Sequence, residues 1–152
     1  GVSHTLNDVL RGHTGHIDPM NIPDYMKLHN EIQGDFAKAE PLNGDLHTYH
    51  GTTGNSFGYT HGSLKPGDRV KLLGYTSTTL NPRSAASWGS MNGEVLHFHH
   101  ESGSRHGIYI GHRSLHPDER EFLINHGTEG VYEGATVHDG IKIHHVRIGK
   151  DQ

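Results

Sequence analysis

The sequence predicts a single α+β domain in which N-terminal helices pack on two small mixed or antiparallel sheets that flank a cleft. Two features carry that prediction. Apolar residues recur at helical spacing up to residue 39, and after the turn Pro41-Leu42-Asn43-Gly44 they fall into short extended runs. Glycine is abundant, at 21 residues, while the hydrophobic set makes up only 31%, a balance that favours short strands and many turns over long packed helices. Residues 1–152 have the length of one domain with a modest core. The chain begins Gly-Val-Ser, without methionine or a leader, and is expected to be a fragment or processed product of a longer chain.

Taken in order, residues 2–10 place Val2, Leu6, Val9 and Leu10 on one helical face, with Ser3 as N-cap and Gly12 as stop. A second helix over 24–39 follows Pro23, with Tyr25, Leu28, Ile32, Phe36 and Ala39 on one stripe; Gly34 weakens it by about 1 kcal/mol relative to Ala. Residues 45–50 read as a strand that runs into His50-Gly51-Thr52-Thr53-Gly54, where glycine permits either a tight turn or close approach to a ligand. Residues 55–68 are loop by composition, and 69–74 form a strand leading into four consecutive hydroxyl residues, Thr76-Ser77-Thr78-Thr79. Asn81-Pro82 caps a short helix over 83–88 that Gly89 ends. Strands follow at 93–101, 108–110 and 122–124, and 127–133 with 141–148 form a terminal hairpin about Asp139-Gly140.

Composition excludes several functions. Without cysteine there is neither a disulfide nor a thiolate metal site. A formal charge of -4 gives no general attraction to nucleic acid or to anionic membranes, and no apolar run approaches the ~20 residues of a spanning helix. The chain is expected to be a soluble monomer. The 17 histidines include His97 and His99, which share a face if their segment is a strand, yet no local spacing fixes the third ligand a metal site needs, and no metal is expected.

Candidate chemistry gathers at Glu119 and Glu121, two apart before the apolar run Phe122-Leu123-Ile124. On an extended segment the two carboxylates share a face, where one can steady a developing cation and the other take a proton. A solvated turn entering a core strand explains the same residues, and a polar strand edge explains the hydroxyl run. No glycine-rich phosphate loop of the usual nucleotide folds is present.

Taken together and in order, Tyr49-His50-Gly51-Thr52, Gly74-Tyr75-Thr76-Ser77-Thr78-Thr79 and Glu119-Arg120-Glu121-Phe122-Leu123 resemble the mono-ADP-ribosyltransferases, in particular the toxin-like and phage-encoded branch with an Arg-Ser-Glu signature. The resemblance runs from about Pro41 to Gly127. It implies an ADP-ribosyltransferase-like fold around a cleft for NAD, the substrate, and transfer of ADP-ribose to a protein with an accessible arginine. It assigns Glu121 to the nicotinamide-ribose hydroxyl, Glu119 to activation of the acceptor, and Ser77 to bracing Glu121, with Thr78 and Thr79 beside it. Residues 111–118 match the family's acceptor loop, and residues 89–93 its loop beneath nicotinamide and phosphate. His50, Gly51 and Thr52 fall at the dinucleotide.

One departure stands out: His50 occupies the place of an arginine in the Tyr-Arg-Gly motif, as in the branch of diphtheria-type toxins and poly-ADP-ribose polymerases, which lacks the serine strand. A neutral imidazole suits a ribose hydroxyl but does not fork onto a phosphate, a task left to Arg69, Arg83 or Arg105. The resemblance also fits a secreted or delivered effector, or a phage protein acting in the host cytoplasm. Alternatives are an NAD glycohydrolase with water as acceptor and an inactive binding module of the same fold.

Overall fold

The computed structural model describes residues 2–10, 12–52, 57, 61–110 and 121–150. Helix α1 is Val2–Leu10, so Ser3 lies inside its first turn and is not its cap. Helix α2, Ile22–Ala37, starts two residues earlier than the stripe implied because Pro23 sits in its first turn, where a missing N–H costs nothing. Helix α3, Pro82–Asn92, begins at the Asn81 cap, whose Oδ1 accepts from Arg83 N at 3.0 Å. The expected stop at Gly89 is corrected: that glycine lies within the helix, and the chain leaves it at Gly93, whose φ of 95° few other residues adopt. Residues 89–93 are therefore mostly helix and not a loop.

The strands are β1 (Leu46–Thr52), β2 (Arg69–Lys71), β3 (Thr76–Thr79), β4 (Glu94–His100), β5 (Gly107–Tyr109), β6 (Glu121–Ile124), β7 (Glu129–His138) and β8 (Ile141–Ile148). The hairpin about Asp139-Gly140 is present, with φ of 50° and 77° at the two turn residues, but its first arm extends to His138 and carries an irregularity between Tyr132 and Gly134.

The two expected sheets are one eight-stranded sheet, ordered β2-β7-β8-β4-β1-β3-β6-β5 and antiparallel except for β4 with β8. Their join is narrow. Strand β1 pairs with β4 along its whole length but with β3 only at Tyr49↔Thr79. About that junction the sheet bends so that the same face of both halves encloses one core, where Leu96, Phe98, Val146 and Ile148 meet Phe122 and Ile124. Contact between His100 of β4 and Phe122 of β6, ring centroids 5.1 Å apart, shows how far the halves fold over one another, since two strands separate them in the sheet. Burial of each large apolar side chain here stabilises the fold by roughly 1.5–3 kcal/mol.

Helices α1 and α2 cover the outer face of the β3-β6-β5 half through Leu6, Phe36, Tyr75 and Leu123. Polar contacts fix how they sit. Asn7 Oδ1 accepts from Tyr75 N and its Nδ2 donates to Tyr75 O, both at 2.9 Å, as a neighbouring strand would. Gln33 Nε2 donates to Tyr75 Oη at 2.6 Å and to Asn125 Oδ1 at 2.9 Å, bridging the residues that flank the β3/β6 ladder. A one-residue slip in that ladder would send alternate side chains to the wrong face.

Candidate active site

Strand alternation and register bring the chemistry together. Thr79 lies opposite Glu121 in the β3/β6 ladder and opposite Tyr49 at the β1/β3 junction, so Tyr49, Ser77, Thr79 and Glu121 share the outer face. A cleft of about 280 Å³ opens there, lined by Tyr49, His50, Gly51, Ser77, Thr78, Thr79, Ser84, Ala85 and Glu121. A cavity of about 460 Å³ lies elsewhere, between the β7/β8 hairpin and residues 62–66. The smaller cleft is the stronger candidate because a hydroxyl and a carboxylate meet in it.

The four hydroxyls of β3 have separate tasks. Ser77 Oγ donates to Glu121 Oε2 at 2.8 Å, diagonally across the ladder, while Thr78, buried on the opposite face, donates to the Phe122 carbonyl at 2.6 Å. Thr76 donates to the Gly74 carbonyl at 3.3 Å, and Thr79 Oγ1 accepts from Asn81 N at 3.0 Å where the chain turns into α3. A carboxylate that accepts from a neighbouring hydroxyl gains a fixed direction.

His50 occupies the wedge where β1 and β3 part. Its Nδ1 lies 2.8 Å from the Ser77 carbonyl, and since a carbonyl only accepts, Nδ1 carries the proton and Nε2 the lone pair. Burial lowers the pKa of His50 below the ordinary value, against an opposing push from that hydrogen bond, so the ring is neutral near pH 7. It offers the cleft a hydrogen-bond acceptor, and its one donor is already committed.

The remaining sequence candidates are dispersed. Thr52 is buried at the end of β1, away from the cleft lining. Arg83 lies in the first turn of α3 next to Ser84, exposed and outside the lining. Arg105 donates to the Ala39 carbonyl at 3.0 and 3.2 Å, closing off the end of α2, and Arg69 faces Glu129 at 3.4 Å on the edge strand β2. Glu119, the acceptor loop 111–118 and Thr53-Gly54 lie outside the described residues. Among the described residues, no group of three His, Asp or Glu side chains has the arrangement of metal ligands.

Tyr49 and Ser84, neither of which carries an expected role, also line the cleft. Tyr49 had a signal: it adjoins His50 and alternates with it across the β1 faces. Ser84 had a weaker one, two residues inside a capped helix that starts where the hydroxyl strand ends.

The family model for the ADP-ribosyltransferase exoenzyme matches residues 2–147, nearly the whole chain. The chain belongs to that family. Solved structures of similar fold include an ADP-ribosyltransferase from Clostridium botulinum, 20% identical with a TM-score of 0.71 over 96% of this chain and 80% of that one. The ADP-ribosyltransferase Vis from Vibrio Splendidus, in complex with agmatine, is 18% identical with a TM-score of 0.72 over 99% of this chain and 70% of that one. Exoenzyme S from Pseudomonas aeruginosa, bound to Carba-NAD, is 22% identical with a TM-score of 0.67 over 95% and 66%. No curated protein sequence matches the chain. The fold of this exoenzyme-family domain is thus that of ADP-ribosyltransferase toxins, and no helix among its described residues is long and apolar enough to cross a membrane.

Proposed function

We propose that this domain cleaves NAD at the bond between nicotinamide and ribose and transfers ADP-ribose to a protein arginine, releasing nicotinamide. The observation that supports this reading most is the 2.8 Å bond from Ser77 Oγ to Glu121 Oε2 in a cleft that His50 also lines. As the C1′–N bond breaks, nicotinamide leaves with the electron pair and positive charge develops on the sugar. Glu121, aimed by Ser77, stabilises that charge through the adjacent hydroxyl, as carboxylates do in glycoside hydrolysis. His50 Nε2 accepts from a ribose hydroxyl. A guanidinium nitrogen of the acceptor then bonds to C1′ and gives up a proton, which Glu119 takes. Agmatine, the ligand of Vis, carries a guanidinium group, which favours arginine over other acceptors.

Incubation of the protein with labelled NAD, with and without agmatine or an arginine-rich protein, tests the proposal. Label is expected in the acceptor, and Glu119→Gln is expected to suppress that labelling by far more than it suppresses nicotinamide release into water. Release of free ADP-ribose with no labelled acceptor would make the domain an NAD glycohydrolase. No consumption of NAD at all would make it a binding module.

A further inference from the structure

The histidine content has a counterpart on the outer face of β1, β4 and β8. Tyr49 pairs with His97 and His47 with His99 across the antiparallel ladder, and His97 pairs with His145 across the parallel one, so all five side chains share a face. Three of the imidazoles form a continuous chain. His47 Nδ1 lies 2.8 Å from His97 Nε2, His97 Nδ1 lies 2.8 Å from His145 Nδ1, and His145 Nε2 lies 2.8 Å from the Thr136 hydroxyl. The His47 and His97 rings are inclined by only 17° with centroids 5.1 Å apart, which, with the short N–N contact, sets them edge to edge in nearly one plane. His99, bonded to Asp45 at 2.8 Å, stacks on His47. Tyr49 lies against His97 at 5.2 Å and 21°, and Tyr49 borders the cleft beside His50, Ser77 and Glu121.

Counting donors limits what this chain can hold. A neutral imidazole has one donor and one acceptor nitrogen, so three neutral rings in a row satisfy every contact, with the hydrogen bonds running either way. One added proton also fits. On His97, for example, it makes a double donor to His47 and His145, with His145 passing its own proton toward Thr136. Two added protons never fit, because wherever they sit, two N–H groups face each other across one of the 2.8 Å contacts.

The surroundings agree with the count. Burial, then the neighbouring His145, His47 and His99, lowers His97 to about 4, and burial lowers His145 while Glu133 pulls it the other way. The other charged groups on this face are largely paired: Arg147 with Glu101 at 2.7 Å and Glu133 at 3.5 Å, and Asp45 with His99. Helix α3, which packs over β1, β4 and β8, has Arg83 as its one titratable side chain.

We propose that His97 is a positioning residue for the cleft: the imidazole chain holds Tyr49 in place while it carries at most one added proton, and a second proton breaks the chain and frees that wall. The proposal rests on the reading of the cleft as an NAD site.

Two measurements test it. NMR titration of the imidazoles without NAD counts protons: between pH 8 and 5, His47, His97 and His145 should take up one with the Tyr49–His97 contact intact and a second only as that contact is lost, and uptake of two or more with the contact intact would overturn the proposal. Calorimetric NAD binding at pH 7.5 and 5 is compared in the parent, His97→Gln and His97→Phe. The glutamine keeps one donor and one acceptor without titrating, and the phenylalanine keeps a ring against Tyr49. The parent's Kd should rise about tenfold at the lower pH, and the rise should be below about threefold in either variant. The same ratio in all three proteins would overturn the proposal. A parent that binds no NAD at either pH overturns the reading of the cleft, and the proton count then tells that failure from failure of the imidazole chain.

Discussion

The two walls of the cleft rest on different chemistry. The β3/β6 wall is held mainly by hydroxyls and amides: Ser77 on Glu121, Thr78 on the Phe122 carbonyl, and Gln33 and Asn7 behind them on Tyr75 and Asn125, with a single imidazole, His29, 2.8 Å from Tyr75 Oη. The β1/β4/β8 wall is held by imidazoles, with His47, His97 and His145 outside and His100 inside against Thr48. Hydroxyls and amides keep their hydrogen bonds from pH 4 to 9, whereas imidazoles change partners inside that range. One wall should therefore govern what the domain does, and the other the conditions under which it does it.

The largest expected effect lies on the first wall. Glu121→Gln keeps the shape of the side chain and the place of its bond to Ser77 but removes the charge that the proposed mechanism sets against the sugar. Transfer and hydrolysis should both fall by about a hundredfold or more while the melting temperature barely moves, as turnover and calorimetry would report. A near-normal rate would show that this wall does not carry the chemistry.

Acid stability tests the second wall. His97 and His100 are lowered to about 4 and about 3, burial being the first cause for each. Their folded values lie below the ordinary histidine value near 6.5, so the unfolded chain takes up protons first. Their contribution to stability is complete above about pH 6.5 and is lost as pH falls from there toward 4. For His100 alone, with no side-chain exposure, the loss between neutral pH and pH 5 is about 2 kcal/mol, or about 4–8 °C in a domain of this size. Its Nδ1 is also buried without a partner among the described residues. The double variant Thr48→Val with His100→Leu removes the titrating ring together with its partner. The drop in Tm from pH 7.5 to pH 5 should shrink by that amount, and an unchanged drop would place the acid-sensitive groups elsewhere.

These two walls were not equally legible. Four hydroxyls in a row and a glutamate before an apolar run stand out because they are contiguous, and alternation alone puts Ser77 and Thr79 on one face. The helices, the Asn81 cap and the Asp139-Gly140 turn were legible for the same reason. The imidazole wall depends on the parallel pairing of β4 with β8, which inserts the last strand between β7 and β4, and no local pattern announces it. The union of both halves into one sheet depends on a single pair, Tyr49 with Thr79, too small a feature to leave a periodicity. Gly89 misled because a glycine inside a helix costs only about 1 kcal/mol, too little by itself to end one.

Ser77→Ala should have a smaller effect than loss of the charge. It leaves Glu121 in place but removes one hydrogen bond to a carboxylate, worth about 1.5–3 kcal/mol when intact and partly replaced by water in an open cleft. A fall in kcat of about tenfold with little change in KM is expected, since the bond aims a group that acts mainly in the transition state. A rise in KM at constant kcat would make Ser77 a contact for the ground-state dinucleotide.

His50 belongs to both walls, and the smallest effect is expected there. Its Nδ1 ties β1 to the Ser77 carbonyl while its Nε2 is left as an acceptor, and it is one imidazole kept neutral by burial on the β3 side of the molecule. Arginine in its place offers only donors, so it cannot accept from a ribose hydroxyl, and its length does not suit a wedge in which 2.8 Å separates ring from carbonyl. Yet it would bring the cation that the family's arginine branch uses, and attraction to phosphate offsets part of the loss. His50→Arg should therefore weaken NAD binding by only about fivefold, close to 1 kcal/mol. His50→Asn separates the two functions of the ring, because its amide nitrogen takes the position of Nδ1 and nothing takes that of Nε2. If the asparagine variant binds NAD as the parent does, His50 serves only to hold the walls together. If it binds as weakly as the arginine variant, the acceptor at Nε2 is what the dinucleotide meets. Tightening of NAD by arginine would place the phosphate within reach of residue 50, and the assignment of His50 to a ribose hydroxyl would be abandoned.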